Sequence, residues 1–155
     1  MSSAPPRMDY YFDELTLGQR FESGGYRFTE AAIVDFAFQF DPQPFHIDVD
    51  AAKESHFGGL IASGFHTLNI AFRMLYQTGF MRGASLGGPG MDELRWLKPV
   101  RPGDTIRAAA EVIELRPSKS KPDRGVAKFR LAALNQANEE VMTAIMMVIM
   151  KRVRE

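Results

Sequence analysis

From about residue 85 onward, the chain alternates apolar, β-prone segments with short breaks rich in proline, glycine and asparagine. This pattern predicts strands over residues 91–97, 104–115, 126–134 and 141–153. Three short connections in succession indicate that each strand turns back on the one before it, which predicts an antiparallel meander. A further strand is predicted near residues 20–28.

The segments between the first and second predicted strands have helical spacing. Thr29 can cap a helix that runs to about Phe40, and Pro42 ends it. A short helix is predicted over residues 48–55. The prolines between these two helices disfavour α conformation in the residues before them, so residues 41–46 are predicted to form an extended or turning loop.

The longest predicted helix begins at the N-cap Ser63 and ends near Gly79. Apolar residues recur along it at three- and four-residue spacing, and few of its residues are polar. This composition is typical of a helix that is buried over most of its circumference. Strands segregated from helices predict an α+β fold in which this helix lies on the sheet.

Length and composition narrow the possible functions. The 155 residues suit a single domain, with residues 1–8 as a flexible tail and residues 9–155 as the folded unit. A formal net charge of zero gives no global attraction to nucleic acid or to an anionic membrane. The absence of cysteine excludes thiolate nucleophiles and cysteine-based metal sites. No signal peptide or membrane span is recognised, so we expect a cytoplasmic protein.

Asp41 and His46 are the most conspicuous acid–base pair, and they lie on the proline-braced segment. A carboxylate and an imidazole held together can bind a water molecule and accept its proton. The spacing alone also allows a structural role, in which Asp41 bonds the loop backbone and His46 is a satisfied polar residue. His56 and His66 have no partner at metal-ligand spacing and are interpreted as structural, with His66 expected near a pocket rim.

Gly64 lies at the start of the longest predicted helix, in the segment Ile61-Ala62-Ser63-Gly64-Phe65. A glycine there lets a ligand approach the unpaired backbone N–H groups at the positive end of the helix dipole, an arrangement that stabilises an oxyanion. A second interpretation is that Gly64 only relieves crowding where the helix meets the sheet.

Together these segments resemble the MaoC-like dehydratases, a hotdog-fold family that includes the (R)-specific enoyl-CoA hydratases. The resemblance is carried by Asp41-Pro42-Gln43-Pro44-Phe45-His46-Ile47-Asp48 and Phe57-Gly58-Gly59-Leu60-Ile61-Ala62-Ser63-Gly64, and it continues in residues 11–18 and 97–104. It implies a single hotdog fold, an antiparallel sheet of about five strands wrapped around a long central helix.

The resemblance also implies an activity, the addition of water to the C2=C3 bond of a 2-enoyl-CoA thioester or the reverse dehydration. Asp41 and His46 would activate the water, and the Gly64 amide would bind the thioester oxygen. Such a reaction needs no metal and no cofactor other than coenzyme A as part of the substrate. The residues expected to contact the substrate are Gln43, Phe45, Ala62, Ser63, Phe65, Lys98 and Arg101.

Three positions depart from the family pattern. Phe40 stands where the hydratase motif has glycine, and Gln43 stands where it has asparagine. Phe72 occupies a helix position at which some (R)-hydratases carry serine. The sequence therefore does not determine which acyl group the substrate carries.

Two alternatives stay open. A hotdog acyl-CoA thioesterase typically carries a carboxylate on the central helix, and residues 64–79 contain no Asp or Glu. The other alternative is a non-catalytic subunit that binds acyl thioesters, because a fold does not determine a function.

The resemblance further implies a homodimer or a dimer of dimers, in which the sheets join edge to edge and the pockets lie near the subunit boundary. Lys98 and Arg101, together with basic residues at positions 116–124, could meet the phosphates of coenzyme A, although surface solubility is the more common reason for such residues.

Overall fold

The computed structural model describes residues 9–152, so the expected tail, residues 1–8, lies outside the described residues. A short 3-10 turn at Phe12–Glu14 precedes the regular elements. These are β1 (Arg20–Arg27), α1 (Glu30–Phe40), α2 (Pro44–Ile47), α3 (Val49–Glu54), α4 (Gly64–Gln77), β2 (Gly90–Trp96), β3 (Thr105–Pro117), β4 (Arg124–Leu134) and β5 (Glu140–Lys151).

The strands form a five-stranded sheet in the order β1-β3-β4-β5-β2, and every neighbouring pair is antiparallel. The long helix α4 packs against β1, β3 and β4. Buried core residues on β3 include Ala108 and Ala110, whose small side chains leave room for the helix. The predicted α+β hotdog arrangement is confirmed.

The predicted meander is wrong at one connection. β2 pairs with β5 at the edge of the sheet and not with β3, which follows it in sequence. The connecting segment contains Pro99 and Pro102, and its backbone bonds elsewhere: the Val100 oxygen accepts from Ala62 N and the Gly103 N–H donates to the Phe28 oxygen. A connection engaged in this way cannot form a tight hairpin between β2 and β3.

The expectation that α4 is buried over most of its circumference is also wrong for the single chain. Its buried residues are His66, Thr67, Ile70, Ala71 and Leu75. On the other side, Phe65, Phe72 and Tyr76 are 52%, 39% and 41% exposed. The apolar pattern continued around the helix, but the described part of the chain covers only one face.

The segment between β1 and α4 positions the candidate site. Thr29 caps α1 by accepting a hydrogen bond from Ala32 N, as predicted. The predicted loop over residues 41–46 is correct for its first part, but residues 44–47 form the helical turn α2. Pro44 at the start of that turn explains the difference, because proline has the φ angle of a first helical residue and no N–H to leave unpaired. Within residues 9–152 no helix is long and apolar enough to cross a bilayer.

Candidate active site

An open cleft of about 400 Å³ lies beside the N-terminus of α4. Its walls come from residues 41–46 around α2, from the segment after α3, from the start of α4, from the end of β2 with the connection that follows it, and from Val141 on β5. Asp41, His46 and Gly64 all line this cleft. The structure therefore brings together the three residues that the sequence predicted to be catalytic.

Asp41 is held at the C-terminal end of α1, where its backbone N–H donates to the Ala37 oxygen. Both carboxylate oxygens accept hydrogen bonds from side chains. Gln43 Nε2 donates to Oδ1 over 2.7 Å, and Ser63 Oγ donates to Oδ2 over 2.7 Å. The carboxylate is thus fixed from two sides.

His46 lies on α2 and is only 4% exposed. Its Nδ1 is 2.7 Å from the Ile61 carbonyl oxygen. Because a carbonyl oxygen can only accept, Nδ1 carries a proton and donates it to Ile61. The other ring nitrogen, Nε2, is 3.3 Å from Asp41 Oδ2 and is the atom that can exchange a proton.

The segment Ile61–Gly64 organises the whole site. Ile61 holds the imidazole through its carbonyl oxygen, and Ser63 holds the carboxylate through its hydroxyl. The segment itself is fixed by backbone bonds from Ile61 N to the Phe45 oxygen and from Ala62 N to the Val100 oxygen. The spacing of Asp41 and His46 did not indicate this role, because the contacts join distant parts of the chain.

The environment of Asp41 favours its ionised form. Burial raises the pKa of the Asp41 carboxyl, but the hydrogen bonds from Ser63 and Gln43 and the field of His46 lower it by more. The net result is a pKa below the usual value for aspartate. A carboxylate that stays charged beside an imidazole is suited to binding and polarising a water molecule.

Gly64 is the first residue of α4, and within the described part of the chain its N–H has no hydrogen-bond acceptor. Trp96 covers the residue: its indole Nε1 donates to the Gly64 oxygen over 2.9 Å. A β-carbon on residue 64 would lie 2.3 Å from the indole ring. The structure thus supports the crowding interpretation of Gly64, while its half-buried position in the cleft lining leaves its N–H open to a ligand.

Of the residues predicted to contact the substrate, Gln43, Phe45, Ala62, Phe65 and Lys98 line the cleft. Lys98 also forms an ion pair with Glu139 at the protein surface. Thr67, Trp96 and Leu97 line the cleft too, and the sequence did not single them out. The single tryptophan of the chain, placed just before the proline-rich connection, was the one available signal.

Ser63 and Arg101 are placed differently from the prediction. Ser63 is fully buried, and its side chain contacts Asp41 and not the cleft. Arg101 lies outside the cleft lining, where its guanidinium donates to the Phe57 oxygen over 2.7 Å. Arg101 therefore braces the loop before the Ile61–Gly64 segment.

His66 does not lie at the rim of the cleft as expected. Its ring is 5% exposed and stacks on Phe36, with a centroid separation of 4.5 Å. Burial, reinforced by the nearby Arg73, lowers the pKa of His66 to about 4. The residue is a neutral core histidine at physiological pH, which agrees with its structural interpretation.

Comparison with known proteins identifies the family. A family model described as a MaoC like domain matches residues 14–132. The chain belongs to this family.

Individual relatives agree with the MaoC-like assignment. The crystal structure of the MaoC-like dehydratase from Rhodospirillum rubrum has a TM-score of 0.87 and 41% identity, and the match covers 94% of this chain and 99% of that one. The Bacillus subtilis protein YdeM is 33% identical over 140 residues, or 90% of this chain and 98% of its own. The 3-hydroxybutyryl-CoA dehydratase of Methylorubrum extorquens is 29% identical over 137 residues, or 85% of this chain and 78% of that enzyme.

Proposed function

We propose that this MaoC-like protein is a hydro-lyase that adds water to the C2=C3 bond of a 2-enoyl-CoA thioester, or removes water from the 3-hydroxyacyl product. The observation that carries the proposal is the Asp41–His46 pair, with Oδ2 and Nε2 3.3 Å apart on the wall of a cleft that Gly64 also lines. The 3-hydroxybutyryl-CoA dehydratase among the relatives supports the same type of reaction.

In the proposed mechanism a water molecule is bound between Asp41 Oδ2 and His46 Nε2. Its oxygen forms a bond to C3 as the C2=C3 π bond breaks, and the Asp41–His46 pair accepts one of its protons. The pair then delivers a proton to C2 and returns to its starting protonation state. The Gly64 N–H donates to the thioester oxygen as negative charge develops there. One such donor commonly lowers a barrier by roughly 3 to 4 kcal/mol.

The proposed hydration involves no net oxidation or reduction, so it requires no redox cofactor, and the hydrogen-bond donors supply the polarisation that a metal would otherwise provide. Coenzyme A enters as part of the substrate. Lys98 stands in the cleft wall, and its ion pair with Glu139 at the surface is weak enough to yield to a phosphate. The cytoplasmic location stays a prediction from the sequence.

We also propose that the protein works as a homodimer, or as a dimer of such dimers. The outer edge of β2 has no partner strand within the described chain, and an unpaired edge is a ready site for pairing. The exposed apolar side chains of α4 and the end of β2, including Phe72, Tyr76 and Trp96, accompany this edge. The cleft, which contains Trp96 and Leu97, would then lie near the subunit boundary.

A panel of enoyl-CoA substrates tests the proposal. Crotonyl-CoA and branched or dicarboxylic enoyl-CoAs are incubated with the protein while enoyl absorbance and free thiol are followed together. Loss of absorbance without thiol release is the expected result. Thiol release would indicate a thioesterase instead, although α4 has no carboxylate that could act as its base or nucleophile. No change over the whole panel would favour the non-catalytic binding subunit.

Two variants test the residue assignment. Asp41→Asn and His46→Ala should each lose hydration by roughly two to four orders of magnitude, the usual contribution of general acid–base groups. Circular dichroism should show both variants folded. Undiminished turnover in either folded variant would refute the assignment.

A further inference from the structure

We infer that Ser63 is a positioning residue that fixes the Asp41 carboxylate and ties it to the first turn of α4, the turn that bears the Gly64 amide. The inference rests on the proposed hydratase function, because it assigns Ser63 a task in that reaction. It replaces the expectation that Ser63 contacts the substrate, since the side chain is 0% exposed.

The direction of the Ser63 hydroxyl is determined by its two partners. The backbone N–H of Phe65 donates to Ser63 Oγ over 3.2 Å, which uses a lone pair of the hydroxyl oxygen. Asp41 Oδ2, at 2.7 Å, can only accept while the carboxyl is ionised. The hydroxyl hydrogen therefore points at Asp41, and one side chain both caps α4 and holds the carboxylate.

Ser63 bonds the oxygen that matters for the chemistry. Oδ2 is the atom that faces His46 Nε2, and Ser63 donates to that same oxygen. Gln43 holds the other oxygen, so rotation of the carboxylate about its Cβ–Cγ bond is prevented at both ends. A productive proton transfer depends on this orientation, since small displacements of a reacting group reduce rates sharply.

The two bonds to Asp41 differ in exposure. Gln43 is an exposed residue, so water can replace its hydrogen bond when the side chain moves away. Ser63 is fully buried, and no water can take its place without rearrangement of the start of α4. Loss of the Ser63 hydroxyl should therefore leave Oδ2 without its shielded donor, and the effect should exceed that of losing Gln43.

The link also couples the two halves of the proposed site. Ser63 and Gly64 are consecutive, so the residue that orients the carboxylate also sets the position of the amide that would bind the thioester oxygen. A water molecule held by Asp41 and a carbonyl held by Gly64 would then keep a constant relative placement. A simple helix cap would not require a hydroxyl donor here, because an acceptor such as Asn or Asp caps equally well.

The test uses Ser63→Ala, with Ser63→Gly as a second variant, because glycine at an N-cap lowers helix stability only slightly relative to serine. Thr29→Ala is the matched control: it removes the N-cap of α1 and leaves the donors to Asp41 in place. Ser63→Thr, which keeps the hydroxyl, should restore part of the lost activity. Each variant is compared with the wild-type protein in kcat, KM and their pH dependence.

We expect kcat/KM of both hydroxyl-lacking variants to fall roughly tenfold to hundredfold, mainly through kcat. The acidic limb of their pH–rate profiles should move to higher pH. Burial still raises the pKa of Asp41 in these variants, but one of the hydrogen bonds that lower this pKa is lost. Thr29→Ala should lose stability and keep both the profile and kcat/KM. Equal profiles and equal kcat/KM in Ser63→Gly and the wild type would overturn the inference.

A readout independent of turnover separates this inference from the proposed function. Carbon-detected NMR titration of the aspartate carboxyl groups, with Asp41→Asn used for assignment, reports the pKa of Asp41 directly. That pKa should rise in both Ser63→Ala and Ser63→Gly. A wild-type protein that is inactive on every enoyl-CoA but shows this rise would refute the hydratase proposal and retain the positioning role, whereas an unchanged pKa would refute the positioning role itself.

Discussion

The indole of Trp96 lies directly on Gly64, with its Nε1–H donating to the Gly64 oxygen over 2.9 Å. The two residues are 32 positions apart in sequence, so the contact joins the end of β2 to the start of α4. It fixes the peptide next to the amide that we assign to the thioester oxygen. Glycine is required at this position for packing, whatever its amide binds.

Gly64→Ala should destabilise the fold and lower activity together. The added β-carbon would lie 2.3 Å from the Trp96 ring, so the indole or the helix must move. Overpacking of this kind typically lowers the free energy of unfolding by about 1 to 3 kcal/mol, which urea denaturation would measure. We expect kcat/KM to fall by more than roughly tenfold, because the amide moves with the helix.

Gly24→Ala is the matched control for that substitution, because a β-carbon there meets no atom within 4 Å. The double variant Gly64→Ala/Trp96→Ala should regain part of the unfolding free energy relative to Gly64→Ala, since removal of the indole opens the space. A double variant no more stable than Gly64→Ala would show that another contact demands the glycine.

Gln43→Ala should have a modest effect. Gln43 Nε2 donates to Asp41 Oδ1, but the residue is exposed and water can substitute for the amide. We expect kcat/KM to fall about twofold to tenfold, as measured by the initial rate of enoyl absorbance change. Gln39→Ala, which removes an exposed glutamine on α1, serves as the control. A larger loss in Gln43→Ala than in Ser63→Ala would contradict the order of importance that we assign to the two donors.

The strands and the main helices could be predicted because each has a local signal, whereas the three residues proposed to be catalytic were predicted through the resemblance of two short segments to the MaoC-like family. Strand alternation, the caps Thr29 and Ser63, and the Asp41 to His46 segment can all be recognised within short windows. The pairing of β2 with β5 has no such signal, since the residue pattern of a strand does not determine which edge of the sheet the strand joins.

The interactions that complete the site were not predictable for a related reason. The bond from Ser63 to Asp41 spans 22 residues and the bond from Trp96 to Gly64 spans 32. Each depends on how separate elements pack, and serine at a helix start is explained already by capping. The sequence therefore indicated which groups do the proposed chemistry but not what holds them in place.

His66→Phe should flatten the dependence of stability on pH. The folded protein keeps the pKa of His66 near 4, whereas the unfolded chain has the ordinary value near 6.5. Between these pH values the unfolded state binds more protons, so the free energy of unfolding decreases as the pH falls from about 6.5 to 4. The loss attributable to His66 should be on the order of 2 to 3 kcal/mol.

Urea denaturation of the wild type and His66→Phe at pH 7.5 and pH 4.5 would measure this difference. The phenylalanine ring keeps the stacking on Phe36, so the two proteins should differ little at pH 7.5 and diverge at pH 4.5. Asn69→Gln provides the control, because Asn69 is an exposed residue of the same helix and the substitution changes no titratable group. If the free energy of unfolding changed equally with pH in the wild type and His66→Phe, protonation of His66 would not destabilise the folded protein.

Met91→Glu should weaken the proposed dimer. Met91 lies on the edge strand β2 and is 36% exposed, within the apolar surroundings that a second copy would cover. A carboxylate there would be desolvated on pairing, and in a symmetric interface each copy would bring one. Light scattering coupled to size-exclusion chromatography should give the mass of two chains for the wild type and a concentration-dependent shift toward one chain for Met91→Glu.

Leu17→Glu places the same charge on another exposed apolar residue, one outside every strand, and should remain dimeric. Because the cleft includes Trp96 and Leu97 at the end of β2, the monomeric fraction of Met91→Glu should also lose enoyl-CoA hydration. A wild-type protein that is monomeric and fully active would refute both the dimer and the placement of the cleft at its boundary. A dimeric Met91→Glu would instead show that the chains associate through a surface other than the edge of β2.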